Sequence, residues 1–65
     1  MLWEVEWEGQ RLRCAIYRTG AGLQMRLESG TAVVMAEPFE MQPRAIARTR
    51  LLRRSLTRRG WREAR

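Results

Sequence analysis

From Trp3 onward the chain alternates apolar and charged positions, with Trp3, Val5 and Trp7 interleaved with Glu4, Glu6 and Glu8. Successive side chains of an extended strand point to opposite faces, so this spacing predicts a half-buried strand over about residues 2–8. Gly9-Gln10 suits a two-residue hairpin turn with glycine where positive φ is needed. Folding back there predicts a second strand over about 11–18, with Glu8 opposite Arg11, Trp7 opposite Leu12, Glu6 opposite Arg13, Val5 opposite Cys14 and Trp3 opposite Ile16. Opposite charges then meet on one face and apolar groups on the other, each pair contributing about 0.2–1 kcal/mol relative to alanines.

Thr19-Gly20-Ala21-Gly22 is a glycine-bearing turn, and a third strand over about 23–28 puts Leu23, Met25 and Leu27 inward and Gln24, Arg26 and Glu28 outward. Loops of two or four residues preserve these faces, and the longer one is preferred because it sets Arg13 against Glu28 rather than Arg26. Ser29-Gly30 leads into a fourth strand over about 31–36, with Ala32, Val34 and Ala36 inward and Val33 and Met35 outward. Pro38, within Glu37-Pro38-Phe39-Glu40, should end the sheet.

Pro43 suits the start of a helix, and residues 44–59 contain neither Gly nor Pro. At 100° per residue, Ala45, Ile46, Thr49, Leu52 and Leu56 fall within an arc of about 120°, the width of a face lying on a core. A helix over about 43–59 follows, ended by Gly60 in a Schellman turn that folds Trp61 back on Leu56, with a frayed tail over 62–65. The fold class is therefore α+β: a single domain, residues 1–65, in which an antiparallel meander of three to four strands carries one C-terminal α-helix packed on its apolar face. The expected core is Trp3, Val5, Trp7, Leu12, Cys14, Ile16, Leu23, Met25, Leu27, Val34, Ile46, Leu52 and Leu56, with Tyr17 and Trp61 left partly exposed. The other sheet face stays in water, which suits Glu4, Glu6, Arg11, Arg13, Tyr17, Gln24 and Arg26.

Sixty-five residues are close to the lower limit for a self-sufficient core, so association with a second copy is a natural expectation. A single cysteine forms no internal disulfide, and without His or Asp no metal site and no cofactor are expected. The N-terminal residues contain no secretory pattern and no apolar run approaches a membrane span, so a cytoplasmic protein is expected. All 13 basic residues are Arg, a choice that base composition of the coding sequence accounts for. Placement is another matter: residues 1–40 hold four Arg and six Glu, net −2, whereas residues 41–65 hold nine Arg and one Glu, net +8. Such asymmetry speaks about partners.

The run YRTGAGLQMRLESG, followed later by LLRRSLTRRGW, resembles short bacterial stand-alone domains of uncharacterised function; this implies a bacterial protein and no particular activity. A looser resemblance is to small DNA-binding domains with a three-stranded sheet and a C-terminal helix, as in plant transcription factors and some integrase N-terminal domains. Those domains read DNA from the open sheet face. Here Glu4, Glu6 and Glu8 depart from that pattern.

The inventory for catalysis is thin. Cys14 lies between Leu12 and Ile16 on the apolar face with no histidine to activate it, the glutamates have arginines across the hairpin, and Gly20-Ala21-Gly22 lacks the lysine of a phosphate loop. No enzyme is expected. The helical arginines stand apart, since they surround the outer face without acidic i,i+4 partners and repel one another. Arg48, Arg50, Arg54, Arg58, Arg59 and Arg62 are the candidate polyanion-binding residues, with nucleic acid the first expected partner, an acidic protein the second, and a merely solvated face the plain alternative. No membrane contact is expected, because the apolar arc is needed by the sheet. Val33, Met35 and Phe39 form the second candidate, an apolar edge patch for a homodimer or another protein.

Overall fold

Glycine turns at intervals along the first half of the chain let the alternating segments fold back on one another, giving one antiparallel sheet. The computed structural model describes residues 2–64. Strands β1 (Trp3–Trp7), β2 (Gln10–Thr19), β3 (Gly22–Ser29) and β4 (Ala32–Phe39) form the meander. Helix α1 (Gln42–Arg58) packs against β3 and β4, and a short β5 (Arg62–Glu63) returns to pair with β1. The order across the sheet is β4-β3-β2-β1-β5.

The core collects the inward residues of the three central strands: Trp3 and Val5 from β1, Cys14 from β2, and Met25 and Leu27 from β3. Leu12, Ile16, Met35, Phe39, Leu52, Leu56 and Trp61 close around them, and Ala45 and Thr49 are the buried helical residues. A chain of this length has a total stability of about 3–10 kcal/mol. Truncating fully buried Met25 to alanine, at about 2–5 kcal/mol, therefore removes much of it.

Several expectations hold in the structure. Arg13 stands opposite Glu28 as expected, but the ladder between β2 and β3 runs one pair further, to Thr19 and Gly22, so the loop is the two residues Gly20-Ala21 and not the four expected. The helix ends at Gly60 (φ +107°) in a Schellman turn, with the Gly60 N–H donating to the Thr57 carbonyl at 3.1 Å and the Trp61 N–H to the Leu56 carbonyl at 3.1 Å.

Other details differ, each for an identifiable reason. The first hairpin turns at Glu8-Gly9, both with positive φ (49° and 80°), and the register moves by two: Trp3 faces Cys14, Glu4 faces Arg13, Val5 faces Leu12, Glu6 faces Arg11 and Trp7 faces Gln10. A shift of two leaves every side chain on its face, so the apolar pattern is indifferent to it. Trp7, expected in the core, ends 42% exposed at the tip of the ladder.

The fourth strand is longer than expected and its second half is inverted. Val33 faces Glu28 but Met35 faces Leu27, leaving Val34 unpaired in a bulge. One extra residue reverses the alternation beyond it, so Met35, Glu37 and Phe39 point to the helix side while Val34 is 57% exposed. Pro38 does not end the sheet; it lies opposite Gln24 on an edge strand, where a missing N–H is tolerated. Finally, the expected frayed tail forms β5: Glu63 faces Val5, Arg62 faces Glu6, and the Ala64 N–H donates to the Glu4 carbonyl at 2.9 Å. Arg65 lies outside the described residues.

Candidate polyanion interface

Because α1 turns Ala45, Thr49, Leu52 and Leu56 to the sheet, the 3.6-residue period places Arg54, Arg58 and Ala47 at the opposite pole and Arg50 beside them. Arg50, Arg54 and Arg58 form an i,i+4,i+8 row about 12 Å long. With Arg53 and Thr57 they line an open groove of about 480 Å³. Thr57 is occupied locally, its hydroxyl donating to the Arg53 carbonyl at 2.8 Å. Arg58, in the last turn, complements the negative helix end.

The six candidate arginines separate into three groups. Arg48 leaves the set: its Nε and Nη2 donate to Glu37 Oε1 and Oε2, each at 3.0 Å, in a two-pronged ion pair between α1 and β4. Those hydrogen bonds hold the Glu37 carboxyl below its usual range and raise Arg48 above its own. Arg62 belongs to the other side of the sheet, facing Glu6, and Arg59 is the exposed C-cap. Arg50, Arg54 and Arg58 stay together, and among the described residues none of the three is in a salt bridge. Beside them Arg53 is anchored, its Nη2 2.7 Å from Glu63 Oε2 on β5.

The open sheet face uses the same residue types differently. Arg11 lies 3.4 Å from Glu6 and 3.8 Å from Glu4. Glu28, only 8% exposed, accepts from Arg13 Nε at 3.3 Å and from the Tyr17 hydroxyl at 2.9 Å. Tyr17 is four residues from the partner of Glu28, so its ring must lie along the sheet over Ala15, which is buried. Arg26 caps that ring at 4.5 Å from its centroid and donates to Gln24 at 2.7 Å. The hydrogen bond to Glu28 raises the Tyr17 pKa, since the neutral phenol is the donor.

The second candidate patch does not assemble. Met35 and Phe39 pack on the core, whereas Val33 is on the open side and 52% exposed. Cys14 is fully buried, and burial pushes its thiol up to about 11, keeping it protonated. Among the described residues no group of three His, Cys, Asp or Glu side chains converges on a metal site, and no helix is long and apolar enough to cross a membrane.

The contacts that sequence reasoning missed include Arg48 with Glu37, Arg53 with Glu63, Tyr17 with Glu28, and a tilted stack of Trp7 on Trp61 with ring centroids 5.8 Å apart. Only the Tyr17–Glu28 bond had a signal in the chain, the shared outward parity of its partners. No protein-family model, characterised protein or solved structure matches the chain.

Proposed function

We propose that the chain is a small cytoplasmic, non-enzymatic binding module whose outer helix face engages a polyanion, nucleic acid in the first place, without strong base preference. The supporting observation is a contrast in charge pairing. Arg11, Arg13, Arg48 and Arg53 each hold a carboxylate of the same chain, whereas the Arg50, Arg54 and Arg58 row holds none among the described residues. Three guanidinium forks at one-turn spacing repel one another in the free protein, and a phosphate backbone relieves that repulsion while accepting hydrogen bonds.

The test is fluorescence anisotropy with a labelled mixed-sequence oligonucleotide at rising salt. Three phosphate contacts give a slope of log K against log salt of about −2 to −3. Absence of a complex at micromolar protein in low salt defeats the reading, as does binding unchanged when the three arginines are reversed to glutamate. The exposed Val33 and Val34 on the free β4 edge favour a second reading, a protein contact at that edge. Sedimentation as a monomer at high micromolar concentration defeats its homodimeric form.

A further inference from the structure

The aromatic pair at the end of α1 is the largest feature the arginine row does not explain. Trp7, at the tip of β1, rests on the helix terminus: a Cβ added to Gly60 would lie 3.4 Å from its Nε1 and 3.6 Å from its Cδ1. Its ring leans on Trp61 at an interplanar angle of 42°, and Trp61 is itself packed on the core and held by its hydrogen bond to Leu56. One side of the Trp7 indole is thus backed by rigid structure while 42% of the residue remains in solvent.

The surroundings of this indole are cationic. Arg58 and Arg59 immediately precede the glycine it touches, whereas Arg62, opposite Glu6, lies on the other face of the sheet. Of the acidic residues on the strands beside it, Glu6 is bonded by Arg11 and Glu63, opposite Val5, by Arg53, while Glu8 lies in the exposed turn. A supported indole beside arginines suits a ligand that carries flat apolar surfaces and anionic links together. A duplex hides its base faces within the stack, whereas a single strand offers them.

We infer that the site is a single-strand site: an unpaired base stacks on Trp7 while the flanking phosphates lie along Arg58, Arg54 and Arg50. This rests on the polyanion reading above and goes beyond it by naming the strand state and the aromatic group that reads it. Trp7 is the stacking platform and Trp61 its support.

The experiment compares a labelled 12-nucleotide thymidine strand with a duplex of equal length, using wild type, Trp7→Phe, Trp7→Leu and the paired reversal Arg54→Glu with Arg58→Glu. Leucine keeps an apolar contact with Gly60 and Trp61 but offers no ring face; circular dichroism of each variant verifies the fold. Wild type should favour the single strand. Trp7→Leu should weaken that strand alone by about fivefold to a hundredfold, the range for losing one stacked base. Trp7→Phe should keep most of the affinity, and the arginine reversals should weaken both ligands. Equal single-strand affinity for folded Trp7→Leu and wild type, or a wild-type preference for duplex, overturns the inference and leaves the arginine reading standing. Insensitivity to the arginine reversals overturns both.

Discussion

The two arginine-bearing surfaces of this protein are built on opposite principles. On the open sheet face, Arg11, Arg13 and Arg26 each have a partner fixed by register or by a neighbouring ring: a glutamate, the Tyr17–Glu28 pair, or Tyr17 and Gln24. On the outer helix face, Arg50, Arg54 and Arg58 are in no salt bridge among the described residues. The number of arginines is therefore a poor guide to a binding surface. What distinguishes the two is whether a carboxylate, amide oxygen or ring of the same chain lies within reach, and the distribution of those groups among strands and helix decides that.

The largest expected effect breaks the comparison on the helix. Reversing Arg50, Arg54 and Arg58 to glutamate should lower oligonucleotide affinity by about a hundredfold or more, because each places like charge against phosphate. Replacing Arg11 by glutamine should leave affinity nearly unchanged, as titrated by anisotropy under the same salt.

Next in size is an effect confined to the sheet. Glu28→Ala removes the acceptor shared by Arg13 and Tyr17 and should cost about 1–3 kcal/mol in urea unfolding, with binding unaffected. Smaller again is the ion pair between the two regions. Glu37→Gln should cost about 0.5–1 kcal/mol at neutral pH, since both partners are partly solvated.

The pH dependence of that pair has a definite sign. The Glu37 pKa is depressed in the fold, so its contribution is complete above the ordinary value of about 4.5 and is lost as pH falls through the lower folded value. Wild type should thus lose more stability than Glu37→Gln on acidification below that point. Tyr17 behaves oppositely: its raised pKa makes its contribution complete below the ordinary value of about 10 and lost as pH climbs through the higher folded value, which Tyr17→Phe should abolish. Thermal melts at successive pH values read both.

The smallest expected effect sharpens the comparison most. Arg54→Glu alone replaces like-charge contacts with Arg50 and Arg58 by opposite ones and should stabilise the fold by about 0.2–0.5 kcal/mol while weakening binding. Destabilisation instead would mean that the row is already compensated within the chain.

Much of this was legible in the residues. Alternation at Trp3 to Glu8 and again at Leu23 to Glu28 specified which side chains share a face, and Gly60-Trp61 specified how the helix stops. The candidate site was legible in outline, because the 3.6-residue period separates Arg50, Arg54 and Arg58 from Ala45, Thr49, Leu52 and Leu56 whatever the helix packs on. Its membership was not. Arg48 left the set because an unpaired Val34 turned Glu37 toward α1, and Arg62 left it because the final residues paired with β1.

The chain by itself determined two-faced strands, their order in a meander, the helix and its basic outer surface, since each follows from local periodicity and turn chemistry. Tertiary structure alone decided the hairpin register, the bulge, the fifth strand and the pairing of Arg48 and Arg53. A shift of two residues or a single extra residue costs little locally, and only the fit of distant groups, Trp7 against Gly60 and Trp61 among them, selects one arrangement.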